Sequence, residues 1–163
     1  MNGIGLMIGM GGAARYSLSS TRPDSDTHRT AFTHALLLAA LCALFFSFAG
    51  AFCSEEISAI LGADHDTIGY ASDYIRILLL FSPLFLGNNL LLCFVRNDGA
   101  PRLSMAGMLI GSLANIVLDY IFIYPLGMEM AGAATATATA PVISMLIMSV
   151  HFIKKNNLSL IHI

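Results

Sequence analysis

The stretch from Leu103 to Tyr124 constrains the fold more than any other part of the chain, because it has the length and apolarity of a membrane-spanning helix. About 20 residues of α-helix cross the hydrocarbon core of a bilayer. Within this stretch Gly107, Gly111, Asn115 and Asp119 follow one another at intervals of four residues, so they form one stripe on a helix. The glycines predict close approach of another helix. A carboxylate on the same stripe predicts a functional group that faces the bundle interior or a watery cavity.

The composition extends this reading to the whole chain. Of its 163 residues 56% are hydrophobic and only 11% are charged, and the mean hydropathy is +0.76. Soluble domains average about 25% charged residues, so the composition predicts an all-α, polytopic membrane helix bundle. The sequence contains no glycine-rich phosphate loop, paired-histidine metal motif or nucleophile elbow. We therefore expect a protein that is not an enzyme, uses no cofactor and binds no nucleic acid.

Hydropathy along the chain predicts four complete spans and one partial span. The partial span covers about residues 1–17, and the complete spans cover about 32–53, 75–95, 103–124 and 130–153. Gly5 and Gly9 form a GxxxG pair in the partial span, which is a weak helix-packing signal. Pro83 and Gly87 predict a kink in the second complete span, and Pro141 predicts a break in the last one.

The charged residues predict how the spans are oriented. Seven of the eight basic residues fall on alternate loops, namely Arg15, Arg22, Arg29, Arg96, Arg102, Lys154 and Lys155. The opposite loops collect Glu55, Glu56, Asp64, Asp66, Asp73 and Glu129, together with the remaining basic residue, Arg76. The positive-inside rule places the basic loops in the cytoplasm. On the opposite side, Ser54 is predicted to cap a short interfacial helix that stops at Gly62.

The depth of polar residues predicts a site between the last two spans. Asp119 lies five residues from the outer end of its helix, about 7–8 Å, and Thr137 lies seven residues from the outer end of the next, roughly 10 Å. At 100° per residue Thr135 and Thr139 share a face and Thr137 points nearly opposite, so the three cannot line one site. We therefore expect a site between Asp119 and Thr137.

Each polar residue also has a purely structural interpretation. Asp119 could be a packed carboxylate that accepts hydrogen bonds from backbone or hydroxyl groups. Asn115 could make only an interhelical hydrogen bond. Asn88 and Asn89 should face protein rather than lipid, where they could contact substrate or only hold helices together.

Three segments resemble the multidrug and toxic compound extrusion (MATE) transporters. They are NIVLDYIFIYPLGMEMAGAATAT, the upstream RNDGAPRLSMAGMLIGSLAN and the opening GMGGAARYS. In that family twelve helices form two six-helix lobes around a central cavity, and cationic drugs leave in exchange for sodium ions or protons. The resemblance implies that residues 1–155 are helices two to six of the N-terminal lobe, and that helix one and the C-terminal lobe are missing partners of a fragment. Residues 156–163 match nothing in the family and are expected to be non-native or disordered.

The resemblance also implies which residues bind the coupling ion. Asn115 and Asp119 match the ion or proton site on helix five, with Na⁺ as a possible ligand of both, and Thr137 matches a threonine of helix six. The implied function is an antiporter in a bacterial inner membrane that exports small organic cations in exchange for H⁺ or Na⁺. One alternative is a lipid-linked-precursor flippase of related architecture. The cavity of such a flippase should hold several cationic residues, whereas the predicted spans contain no Lys or Arg except at their ends. A non-transporting membrane scaffold or an inert truncation is the other alternative.

Overall fold

The protein is a bundle of helices. The computed structural model describes residues 1–19 and 25–153, with side chains for residues 1–18 and 30–150. These residues form seven helices and no strand: α1 (Asn2–Ser19), α2 (Ser25–Phe52), α3 (Ser54–Ile60), α4 (Ile68–Leu80), α5 (Ser82–Asn97), α6 (Pro101–Ile123) and α7 (Glu129–Ile153). The predicted all-α fold is therefore confirmed. The closing tail, residues 156–163, lies outside the described residues, as do Arg22, Lys154 and Lys155.

Three of these helices are long and apolar enough to cross a membrane, over Thr30–Phe52, Pro101–Ile123 and Glu129–Val150. The pair α4 and α5 makes a fourth span if the two are counted together. Large apolar side chains lie on the outer surface of the bundle; Phe45 and Phe48 of α2, for example, are 69% and 65% exposed. An apolar surface of this extent is suited to lipid rather than to water. The chain is a multi-pass membrane protein.

Glycines allow α6 to pack closely on α7. A Cβ atom at Gly107 would lie 3.0 Å from Met148 Cγ, and one at Gly111 would lie 3.0 Å from Ser144 Cβ. Side chains at these two positions would push the helices apart, because a distance of 3.0 Å is shorter than an ordinary van der Waals contact between carbon atoms. The close helix contact predicted for the first half of the stripe on α6 is confirmed.

The GxxxG pair of α1 serves the same purpose against α5. A Cβ atom at Gly5 would lie 3.1 Å from Asn89 Nδ2, and one at Gly9 would lie 3.0 Å from both the Asn89 carbonyl oxygen and Cys93 Sγ. The helix-packing interpretation of this pair is confirmed. The packing places α1 beside the middle of α5, where the two asparagines lie.

The second complete span differs from its prediction. It begins earlier, at Ile68, and is interrupted at Phe81, where α4 and α5 meet at an angle of 49°. Pro83 lies in the first turn of α5, where its missing N–H removes no helical hydrogen bond. The kink predicted for this span is confirmed near Pro83, since the bend lies two residues before it. Gly87 lies inside an uninterrupted helix, so its part in the predicted kink is wrong.

Two smaller predictions are also corrected. α7 continues through Pro141 without interruption, because a membrane helix can tolerate the loss of one backbone hydrogen bond when neighbouring groups compensate. Ser54 is the first residue of α3 rather than its cap; Cys53 occupies the cap position and no side chain bonds the helix end. The stop at Gly62 is confirmed, since its φ of 94° is a conformation that favours glycine.

Candidate functional site

A cavity of about 420 Å³ lies among α1, α5, α6 and α7. This volume is within the range of small-molecule sites. Its lining residues are Asn2, Gly3, Leu6, Phe85, Asn88, Asn89, Met108, Gly111, Ser112, Asn115, Thr137, Ala140, Pro141 and Ser144. Within the described part of the chain, none of these lining side chains is charged. The cavity is therefore polar through amides and hydroxyls alone.

The arrangement of the helices explains why the cavity exists. α1 packs on α2 and α5, whereas α6 packs on α5 and α7. In residues 1–19 and 101–123, no Cα atom of α1 lies within 8 Å of a Cα atom of α6. The cavity is the gap between these two helices, and α5 and α7 border it on the remaining sides.

The two asparagines of α5 both border this cavity but differ in their contacts. Asn89 Nδ2 donates a hydrogen bond of 3.4 Å to Asn2 Oδ1 on α1. Asn88 Oδ1 is buried and has no hydrogen-bond partner among the described residues. Both side chains face protein, as predicted. Asn89 takes part in helix packing, and Asn88 leaves an unpaired acceptor at the cavity.

The structure also brings Asn115 and Thr137 together across α6 and α7. Asn115 Nδ2 donates to Thr137 Oγ1 at 3.4 Å, which is long for a hydrogen bond of this kind. The hydroxyls of Thr135 and Thr139 instead donate to carbonyls of their own helix, each at 2.7 Å. Only Thr137 of the three borders the cavity, as the 100° spacing predicts.

Asp119 does not join this pair. It is half-buried and lies one turn beyond Asn115 on α6, about 6 Å along the helix axis. Its Oδ1 atom is buried without a hydrogen-bond partner in the described chain, and the residue does not line the cavity. A buried carboxylate oxygen that accepts no hydrogen bond is costly. Asp119 therefore carries an acceptor that the described chain leaves unsatisfied.

Sequence reasoning missed Ser144, which is 3% exposed and has a buried Oγ without a partner in the described chain. Thr137, Pro141 and Ser144 follow the i, i+4, i+7 spacing of one helix face, and this signal could have found it. Pro141 has no N–H to donate to the carbonyl of Thr137, so that oxygen lacks its usual helical partner. This face of α7 thus presents several hydrogen-bond acceptors near the cavity.

A neutral polar cavity among membrane helices is typical of membrane transporters, and comparison with known proteins identifies the family. The MatE family model matches residues 2–121 of this chain. The chain is 32% identical over 162 residues to the multidrug export protein MepA of Staphylococcus saprophyticus, covering 96% of this chain and 35% of that protein. The chain belongs to the MatE family of multidrug export transporters, and it spans about a third of the length of this relative.

Solved structures support the same fold. An inward-facing multidrug resistance MATE transporter of the MOP superfamily matches with a TM-score of 0.88 and 26% identity, over 96% of this chain and 36% of that one. A MOP superfamily transporter from Pyrococcus furiosus, described by the reverse polarity of its binding pocket, matches with a TM-score of 0.81 and 27% identity. This second match covers 94% of this chain and 34% of that one.

Proposed function

We propose that these residues belong to a secondary active transporter that exports organic cations across the bacterial cytoplasmic membrane in exchange for H⁺ or Na⁺. The observation that carries the proposal is the cavity of about 420 Å³ among membrane helices, next to a helix that carries a carboxylate oxygen without a partner in the described chain. The family supports it, since the staphylococcal relative is a multidrug export protein. In this proposal residues 1–155 supply helices two to six of the N-terminal lobe.

Asp119 is the proposed coupling residue. A proton would neutralise its carboxylate directly, and Na⁺ would be held by oxygen atoms, which Asp119 and Asn115 both possess. Either ion removes the cost of an unpaired charge within the membrane. The bound and unbound forms would then favour different packings of α6 on α7, and a difference in drug affinity between those packings couples the two fluxes.

The chemistry of the cavity supports a cationic substrate. Its lining in the described chain carries no Lys or Arg, whereas amide and hydroxyl oxygens can accept hydrogen bonds from an ammonium group and Phe85 adds an aromatic surface. A flippase for anionic lipid-linked precursors would need cationic residues that are absent from this lining. The Pyrococcus relative with reversed pocket polarity makes an anionic substrate a necessary control in any test.

The test compares Asp119→Asn with the unsubstituted protein, each expressed from the complete open reading frame in bacteria that lack other efflux pumps. Cells loaded with ethidium are energised, and efflux is followed by fluorescence with and without a protonophore and with and without Na⁺. The amide keeps the shape of the carboxylate and is cheaper to insert, so we expect normal protein levels and a loss of gradient-driven efflux. Asp66→Asn, the same change at an exposed loop position, is the matched control and should leave efflux intact.

The possible outcomes test the proposed export function and the proposed coupling site separately. If the unsubstituted protein exports a fluorescent anion but no organic cation, the proposed function is wrong. If it exports ethidium and Asp119→Asn retains the normal rate at the same protein level, the coupling carboxylate lies elsewhere.

A further inference from the structure

The break between α4 and α5 leaves a backbone carbonyl without its helical donor. The Phe81 N–H closes α4 on the Ile77 carbonyl at 3.1 Å, and the Leu84 N–H bonds the Phe81 carbonyl at 3.0 Å. Leu84 is the residue whose N–H would serve the Leu80 carbonyl in a continuous helix. The Leu80 oxygen must therefore find another donor, because the bilayer interior supplies none.

α2 supplies that donor, and a carbonyl of α2 in return accepts a hydrogen bond from α5. Ser47 Oγ donates to the Leu80 carbonyl at 3.1 Å. Ser82 Oγ, on the other side of the break, donates to the Ala43 carbonyl at 2.9 Å, and Ser82 is fully buried. The two serine oxygens lie 3.1 Å apart. We call these two serines and the two carbonyls the serine joint.

Close backbone packing accompanies the serine joint. A Cβ atom at Gly50 would lie 2.5 Å from Leu79 Cβ and 3.2 Å from the Leu80 nitrogen. α2 therefore meets the last turn of α4 at a distance that only glycine permits. The bend is held by hydrogen bonds on one turn of α2 and by close packing on the next.

We propose that Ser47 and Ser82 are positioning residues that fix the 49° bend and thereby hold Asn88 and Asn89 at the cavity. Asn88 lies seven residues after Phe81, about 10 Å along α5, so a 10° change of the bend would move it by about 2 Å. A displacement of that size is enough to remove a hydrogen bond. The inference rests on the proposed function, because it assigns this cavity to the substrate.

The first experiment measures the bend itself. Spin labels are attached to the exposed positions Leu37 of α2 and Asn97 of α5, in protein whose native cysteines are replaced by alanine and which is reconstituted in lipid vesicles. Asn97 lies 16 residues from Phe81, about 24 Å, so a 10° change of the bend would shift the label by about 4 Å. We expect Ser82→Ala to shift or broaden the distance distribution by several ångströms.

A matched control shows whether the shift in the distance distribution comes from loss of the serine joint or from loss of any buried hydroxyl. Ser58 is also fully buried, but its Oγ donates at 2.7 Å to the Ser54 carbonyl of its own helix. Ser58→Ala should therefore leave the distribution unchanged. A Ser82→Ala distribution that matches the unsubstituted one would overturn the proposal.

The second experiment restores the joint covalently. In the cysteine-replaced protein, Ser47→Cys together with Ser82→Cys removes the hydroxyls in the reduced state and can form a disulfide in the oxidised state, since the oxygen atoms now lie 3.1 Å apart. We expect the reduced form to bind ethidium about 3-fold to 20-fold more weakly, the factor that corresponds to one interhelical hydrogen bond in a membrane. Oxidation should return the Kd to within about 2-fold of the parent protein, because it removes the population of misplaced α5.

Two results would contradict this inference in different ways. An oxidised form that binds as weakly as the reduced form would show that the joint does not position the asparagines. Failure of the parent protein to bind ethidium at all would instead refute the proposed function, and the spin-label distances would still decide whether the serine joint sets the bend.

Discussion

Two adjacent glycines in α1 offer a sharp test of the packing that shapes the cavity. A Cβ atom at Gly12 would lie 2.6 Å from Ala35 Cβ on α2 and 3.3 Å from Phe94 Cζ on α5. A Cβ atom at Gly11 would meet nothing within 4 Å. The two substitutions Gly11→Ala and Gly12→Ala are therefore identical in chemistry and in helix, and differ only in what the added methyl group contacts.

The difference in stability between the two variants follows from this geometry. Each substitution gains the same helix propensity, about 0.8–1 kcal/mol, so this contribution cancels when the variants are compared. At Gly12 the new methyl group is about 1 Å closer to Ala35 than optimal carbon contact allows. Ala35 has no rotatable side chain, so the backbones of α1 and α2 must separate. Overpacking of this kind costs about 1–3 kcal/mol, and we expect Gly12→Ala to be less stable by that amount.

Thermal unfolding of the detergent-solubilised protein measures the effect. A change of 1 kcal/mol shifts the Tm by about 2–4 °C for a chain of this size, so Gly12→Ala should unfold about 2–12 °C below Gly11→Ala. Both variants are compared with the unsubstituted protein at equal concentration in one detergent. A Tm for Gly12→Ala equal to or above that of Gly11→Ala would refute the close contact between α1 and α2.

Two further predictions concern orientation and the contact between α6 and α7. Single cysteines that replace the exposed residues Asn97 and Asp66, in a cysteine-free background, should react with an impermeant thiol reagent from opposite sides of the membrane. Labelling of both from the same side would contradict the predicted span count. A double-mutant cycle with Asn115→Ala and Thr137→Ala should give a coupling free energy of about 0.6 kcal/mol or less in the unfolding equilibrium, because their contact of 3.4 Å is long. A coupling near 2 kcal/mol would mean that the two side chains bond more closely than the structure describes.

Features that depend on one helix alone were predictable from the sequence. The stripe of Gly107, Gly111, Asn115 and Asp119 follows from a four-residue interval, and its glycine half packs on α7 as that interval predicts. The separation of Thr137 from its neighbouring threonines follows from the same helical rotation. Both predictions are correct because the backbone hydrogen bonds of an α-helix fix its period at about 3.6 residues per turn.

Features that depend on two helices were less predictable. The sequence shows Pro83 but not whether it lies inside a helix or in a first turn. The structure places it in a first turn, next to a hydrogen bond from Ser47 to the Leu80 carbonyl that joins residues more than thirty positions apart. The depth estimate likewise predicted a site between Asp119 and Thr137. The structure instead pairs Thr137 with Asn115, which lies one helical turn deeper in the membrane than Asp119. The relative rotation and stagger of α6 and α7 are not encoded in either hydropathy pattern.

The separation of the carboxylate from the cavity bears on how ion and substrate would communicate in the proposed transporter. Asp119 does not line the cavity in the described chain, whereas Asn115, the second proposed ligand of Na⁺, does, so the carboxylate itself need not compete with a bound drug. Both, however, lie along the contact of α6 with α7, where Gly107 and Gly111 keep the helices close without interlocking side chains. The hydrogen bond from Asn115 to Thr137 lies between the glycines and the carboxylate and is long enough to break at small cost. Neutralising Asp119 would therefore change the relative position of two helices that both border the cavity, and coupling through this shift requires no contact between ion and drug.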